Sequence, residues 1–222
     1  MKLCKVEGCT NKHCAKGLCS KHYRQYKKYG RILDRTIFDK NEIIEYEDYA
    51  EIIIRNKHHE EIARTIIDLE DMDKVKSIKW SIDKEGYIRN TKVGLLHRFL
   101  IDAPNGKVVD HTNHNKLDNR KVNLRVCTQQ QNIRNMNKQR RDTSSIYKGV
   151  SYHKQKNKWS VQIYINNKIK YIGCYESEEE AGRAYDREAI KHYKQFVCTN
   201  FPIEDYADYI FELGYDIDDF IR

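Results

Sequence analysis

The sequence predicts an α+β chain built from several small domains. Three observations lead there. Cysteines and histidines crowd into the first thirty residues, Cys4, Cys9, Cys19 and His22 among them. Two short strand-like runs, Lys107–His111 and Asn123–Cys127, precede Thr128-x-x-Gln131, a capping-box pattern that opens a helix. Three strand-like runs within Tyr147–Tyr175, apolar and polar residues alternating over Trp159–Ile165, are followed by a second capping-box pattern, Ser177-x-x-Glu180. With 39% apolar and 33% charged residues among 222, one large core is not expected.

The bulk numbers narrow the function classes. The N-terminal run MKLCKVEG is not an apolar leader, and no stretch approaches the ~20 apolar residues of a membrane span. The expectation is a cytoplasmic protein without membrane contact, whose seven cysteines stay reduced and bind metal where they cluster. The net charge of +8 hides an asymmetry: residues 1–40 carry +8, 41–73 carry −8, 74–203 carry +14 and 204–222 carry −6. Two basic blocks separated by an acidic one suit a polyanion touched at two places.

Residues 1–30 form the first domain. Cys4-x4-Cys9-x9-Cys19-x2-His22 offers four ligands for a tetrahedral zinc, and so short a segment needs the ion to fold. Cys9 is preferred over Cys14 because Gly8 gives a tight turn at the metal; His13 is a second spare. Four protein ligands leave no open position, so this Zn²⁺ is structural. The segment resembles the small treble-clef-like zinc modules that precede phage and bacterial nuclease domains. Lys21, Arg24, Lys27, Lys28 and Arg31 follow on an expected helix and suit phosphate contact. Residues 31–50 read as a connector.

Residues 51–136 are read as a mixed α/β unit ending in a ββα hairpin around one metal. Val109–Asn132, VDHTNHNKLDNRKVNLRVCTQQQN, holds a candidate base in His111 and candidate oxygen ligands in Asp110 and Asn132. The run LLHRFLID through VVDHTNHNKLDNRKVNLRVCTQQQNIRN, with IIDLEDMDKVKSIKW and GYIRN upstream, resembles the HNH homing endonucleases of phages and their introns. The resemblance implies that His111 activates water and Asn123 fixes its ring. It also implies that Asp110 and Asn132 hold a catalytic Mg²⁺ or Mn²⁺. Asn132 stands where many of these enzymes have histidine, and an oxygen ligand suits Mg²⁺ or Mn²⁺ better than Zn²⁺. His114 is expected to be a loop side chain, and Asn119-Arg120 to shape the loop, with Arg120 able to reach phosphate. His97 suits a packed position or phosphate equally, and Trp80 and Tyr87 are assigned to the core.

Residues 137–145 read as a basic linker, with Lys138, Arg140 and Arg141 following the DNA backbone. Residues 146–202 carry three expected strands, Tyr147–His153, Lys158–Ile165 and Lys168–Tyr175, a tight turn at Asn166-Asn167, and a helix to about His192. YKGV, the tryptophan, YIG, EEEAGRAYD and TNFP resemble the plant APETALA/ethylene-response-factor DNA-binding domain. That resemblance implies a three-stranded sheet in the major groove, read by Lys148, Ser151, His153, Lys158, Gln162, Tyr164 and Tyr171. Lys170 has the wrong parity for that face. Several arginines that the plant proteins use are missing, so the preferred base sequence should differ. Residues 203–222 are an acidic, aromatic tail.

The expected function is a site-specific DNA endonuclease acting on double-stranded DNA as a monomer, its modules strung like beads along the duplex and nicking one strand. The rival is a non-catalytic DNA-binding transcription regulator that keeps the hairpin as scaffold.

Overall fold

The computed structural model describes residues 2–33, 39–138 and 143–220. Arg140 and Arg141 lie outside the described residues. The architecture is α+β in several small sheets, as the sequence predicts.

Helix α1 (Ser20–Tyr29) follows the cysteine-rich turns and stops at Gly30, whose φ of 70° lets its N–H close on the Tyr26 carbonyl. Next come β1 (Ile43–Glu45), β2 (Ala50–Arg55) and β3 (Glu61–Ile67), an antiparallel meander in the order β1-β2-β3. The segment expected to be a connector therefore contributes a strand, in register Ile43↔Ile52. The acidic residues of this segment had masked the strand, since they occupy positions between Ile43, Ile44 and Ala50. Helix α2 (Met72–Val75), short strands β4 (Ser81–Ile82), β5 (Ile88–Asn90) and β6 (Gly94–Leu95), and helix α3 (Leu96–Ile101) close the first core. Ile52, Ile54, Ile67, Trp80, Ile88, Leu96 and Leu100 fill it.

Strands β7 (Val108–His111) and β8 (Leu124–Cys127) pair antiparallel, with Asp110 opposite Arg125 and His111 opposite Leu124. Helix α4 (Gln129–Asn135) follows, and its capping box forms: Thr128 Oγ1 accepts from the Gln131 N–H while Gln131 Oε1 accepts from the Thr128 N–H.

The last sheet holds β9 (Val150–His153), β10 (Lys158–Ile165) and β11 (Lys168–Tyr175), with β10 central. Asn166 and Asn167 both take positive φ, 49° and 62°, as a two-residue hairpin turn requires. Helix α5 (Glu178–Tyr193) starts at Ser177, which accepts from the Glu179 and Glu180 N–H groups. Ala181 and Ala189 let it settle on Val150, Val161 and Ile163. β9 begins three residues later than expected, because Gly149 turns the chain with φ 76°. A Cβ on Gly149 would lie 2.0 Å from the Tyr185 ring.

The tail is also packed. Helix α6 (Ala207–Glu212) and its flanking turns bury Tyr206 and Ile210 against Ile190 of α5. Asp186, fully buried, accepts from the Asn200 and Phe201 N–H groups and from the Tyr206 hydroxyl at 2.8 Å.

The modules are not beads. The last sheet module seats directly on α4 and β8. Gln130 donates to Asn167 Oδ1 at 2.8 Å, and the Arg134 guanidinium lies 4.8 Å over the Tyr193 ring. The segment around the described ends of the linker is tied down as well: Lys138 Nζ donates to the Tyr147 carbonyl at 2.6 Å, and Ser145 donates to Glu178. No described helix is long and apolar enough to cross a membrane.

Candidate active site and nucleic-acid interface

The cysteine-rich turns bring together Cys4, Cys9, Cys19 and His22, whose ligand atoms all lie within 4.8 Å of one another. Gly8, at φ 72°, shapes the turn into Cys9, while Cys14 is exposed. Two sulfurs bound about 2.3 Å from a tetrahedral zinc stand ~3.8 Å apart; Cys9 Sγ and Cys19 Sγ are 3.9 Å apart. Backbone N–H groups of His22 and Lys21, at the start of α1, hold the Cys19 thiol below its ordinary value against the opposing effect of burial. This cluster can hold a zinc ion.

The ββα hairpin places Asp110 and His111 at the end of β7. His111 is buried, and its Nε2 sits 3.2 Å from Asn119 Oδ1. The ring's tautomer follows from its neighbours. Thr65 gives its single hydroxyl proton to the Leu117 carbonyl at 2.8 Å, so its oxygen must accept from Asn119 Nδ2, also at 2.8 Å. Asn119 therefore turns its carbonyl oxygen to the imidazole, which donates from Nε2. Nδ1 carries the lone pair, and no donor reaches it among the described residues. Burial lowers the His111 pKa, against the pull of Asn119 and Asp110, so the ring is neutral at neutral pH.

Asn123 makes no hydrogen bond to the His111 ring among the described residues. Its Oδ1 accepts from the Thr112 hydroxyl and the Asn113 N–H, and its Nδ2 donates to the Asp118 carbonyl. It staples the loop that carries Asn119. β3 forms the loop's outer support: the Ile66 N–H donates to Leu117 O, and the Asn119 N–H to Ile66 O. Arg120 is spent on Asp118, at 2.8 and 2.7 Å, and holds that carboxyl below the usual range.

Asp110 is gripped on one side only. Arg125 reaches Oδ2 through Nε at 3.0 Å and Nη2 at 2.8 Å, and Asn135 Nδ2 reaches the same oxygen at 2.9 Å. Among the described residues nothing donates to Oδ1. Asn132, expected to face Asp110, is half-buried on α4, and its amide side chain makes no hydrogen bond among the described residues. The residue that contacts Asp110 is Asn135, one turn further on. His97 and Tyr87 complete the wall: the His97 ring is 5.0 Å from His111 and 5.4 Å from Tyr87. His114 is an exposed loop residue at φ 61°.

The sheet module presents one face to solvent. Cross-strand pairs His153↔Lys158 and Gln162↔Tyr171 share that face, as does Ser151, whose partner Ser160 is itself buried. Ser151, Gln162, Tyr164 and Tyr171 are exposed on it. Lys158 lies there too, paired with Glu176 at 2.7 Å. Lys170 points to the other side, onto Glu188 of α5 at 2.6 Å, as its parity requires. Lys148 departs from the expectation: its ammonium donates to the Arg134 and Met136 carbonyls, both at 2.7 Å, and clasps α4. Gly149 breaks the strand alternation just after it, so parity does not govern its direction.

A cavity of about 900 Å³ lies beside α1, and His111 does not line it. Lys12, Lys21, Arg24 and Lys28 line it without a carboxylate partner among the described residues, and His59 faces them. Sequence reasoning missed Thr65, Arg125 and Asn135 as site residues, and read Asn119 only as shaping the loop rather than as the partner of His111. The signal available for Thr65 was a lone polar residue at an inward strand position.

Comparison with known proteins agrees with this picture. Residues 102–134 match the HNH endonuclease family. An uncharacterized HNH endonuclease of Acanthamoeba polyphaga mimivirus is 33% identical over 134 residues, 57% of this chain and 68% of that protein. An ethylene-responsive transcription factor of Arabidopsis thaliana is 38% identical over 72 residues, 32% of this chain. An APETALA2-like protein of Oryza sativa subsp. japonica is 37% identical over 68 residues, 31% of this chain. The chain spans 17% and 16% of those two plant proteins. No solved structure matches. The hairpin of Asp110 and His111, its order along the chain, and the mimivirus likeness together make this chain a member of the HNH endonuclease family.

Proposed function

We propose that the protein is a site-specific DNA endonuclease of the homing type that hydrolyses one phosphodiester bond per binding event. The observation that carries the reading is the buried His111 ring, its Nε2 turned to Asn119 Oδ1, next to a carboxylate whose Oδ1 takes no donor among the described residues. In this reading Nδ1 takes the proton of the attacking water as the water oxygen bonds to phosphorus. The P–O3′ bond breaks, and the 3′ oxygen leaves.

Asp110 Oδ1 and the Asn132 amide oxygen are the chain's candidate ligands for Mg²⁺ or Mn²⁺. The fit is chemical: both are hard oxygen donors, and neither has a hydrogen-bond donor of its own among the described residues. A cation held there would supply charge stabilisation at the phosphate and the leaving oxygen. Asn119 orients His111, and Asn123 and Thr65 orient Asn119.

Ser151, His153, Lys158, Gln162, Tyr164 and Tyr171 form the proposed base-reading face on double-stranded DNA. The basic cavity beside α1 is the proposed second contact, made to phosphates. One base and one metal make one cut, so a monomer nicks one strand.

The likeness to plant transcription factors favours a second reading, a non-catalytic regulator. Duplexes recovered from a random library with the full chain, then incubated with Mn²⁺, separate the two. A single strand break at a fixed position supports the nuclease; tight binding with both strands intact supports the regulator.

A further inference from the structure

We propose that Arg125 is a positioning residue that couples the seating of the C-terminal sheet module to the orientation of Asp110. The inference rests on the reading of Asp110 as the metal-binding carboxylate. Arg125 stands directly opposite Asp110 in the β7–β8 ladder, so the two side chains share a face. Two of its nitrogens grip Oδ2, and Asn135 supplies a third donor to that same oxygen. A carboxylate fixed through one oxygen by three donors presents its other oxygen in one direction.

The rest of the guanidinium belongs to the other module. Nη1 donates to the Gln195 carbonyl, and the guanidinium carbon lies 4.4 Å from the Phe196 ring centroid. Both residues sit in the turn Lys194–Phe196 that ends α5. An arginine side chain has several free torsions, and a fork pinned at both ends loses most of them before the cation arrives. Without the carbonyl and the ring, only Asp110 would hold Arg125, and the pair could turn together.

The same seat reaches α4. Arg134 stacks on Tyr193, and Lys148 caps the Arg134 and Met136 carbonyls. Both Asn132 and Asn135 are carried on that helix. The seated module thus touches β8 and α4, the two elements behind the candidate ligand set. The consequence is an order of events: the module that reads DNA must be in place for the carboxylate to be aimed.

Charge alone would make the opposite forecast. A guanidinium beside the ligand repels a divalent cation, so removing it should tighten binding if charge governed. Positioning makes removal weaken binding.

The test is Mn²⁺ binding to the full zinc-loaded chain without DNA, by calorimetry and by the Mn²⁺ electron-spin signal. Asp110→Asn defines which binding belongs to the site. Phe196→Ala should weaken the Asp110-dependent affinity at least threefold, and Arg125→Gln tenfold or more. Phe196→Tyr, which keeps the ring, should stay within twofold of the parent. Affinity for a DNA duplex without Mn²⁺ should change less than twofold in Phe196→Ala. Should Arg125→Gln fail to fold, the Phe196 pair carries the test. Unchanged or tighter Mn²⁺ binding in Phe196→Ala overturns the coupling. A parent with no Asp110-dependent Mn²⁺ binding overturns the metal reading itself.

Discussion

His97 should make the nuclease unit acid-sensitive well above the range in which carboxylates titrate. The ring is 4% exposed, on α3, packed against Tyr87 and His111. Burial, and next the neighbouring His111, push its pKa down to about 3. In the unfolded chain a histidine titrates near 6.5. The unfolded state therefore takes up a proton as pH falls through 6.5, while the folded state refuses it until pH 3. Stability is full above pH 6.5 and drains away as pH falls from there toward the folded pKa. Between pH 7 and pH 5 the unfolded ring gains about 1.4 units of protonation free energy that the folded ring does not. At 1.36 kcal/mol per unit this is about 2 kcal/mol. A domain with 5–15 kcal/mol in hand feels such a loss. Urea titrations followed by Trp80 fluorescence, in a Trp159→Phe background, report the unit concerned, because Trp80 shares its core with Leu96, the chain neighbour of His97 on α3. His97→Gln does not titrate there, so its loss between pH 7 and pH 5 should be smaller by about 2 kcal/mol. Comparing slopes cancels the general cost of the substitution. Equal losses in parent and variant would refute the buried neutral ring.

Three further outcomes follow from the geometry. Thr65→Val removes the acceptor that turns Asn119 toward His111; losing one hydrogen bond worth about 1 kcal/mol should slow single-turnover nicking roughly fivefold. DNA affinity should not change, and an affinity loss of the same size would assign Thr65 to binding instead. The chain should carry one zinc, and Cys19→Ser or a strong chelator should remove it and melt the α1 module, as read by metal analysis and proteolysis of residues 1–33. Retention of zinc in Cys19→Ser would break the assigned ligand set. Gly149→Ala sets a methyl 2.0 Å from the Tyr185 ring at a φ of 76°. It should cost the C-terminal module about 2–4 kcal/mol in Trp159-monitored unfolding. A cost below half a kcal/mol would contradict the close approach.

What the sequence disclosed and what it withheld divide along chain distance. The zinc set was legible because its four ligands fall within nineteen residues and tetrahedral chemistry limits the choices. The capping box at Thr128 and the paired asparagines at 166 and 167 were legible because their hydrogen bonds are local. The support of His111 was not. Thr65 and Asn119 are separated by 54 residues and meet only because β3 lends its edge to the loop. Asn123 was assigned to the ring from family order, yet its hydrogen bonds show a residue used to close the loop. Lys148 was assigned to the DNA-facing sheet from the family resemblance, but the strand starts at Val150, after Gly149 at φ 76°. The docking of the sheet module was hidden for the same reason: Arg125 and Gln195 are 70 residues apart.

In the proposed function, the buried His111 drives strand cleavage. The direct measurement takes a duplex recovered by binding to the full chain and compares parent with His111→Ala in Mg²⁺ or Mn²⁺, by single-turnover strand analysis. A metal-dependent nick at one position is expected, reduced at least a hundredfold in His111→Ala while DNA affinity stays within twofold. Equal cutting by both proteins, or tight binding with no cutting by either, would contradict it.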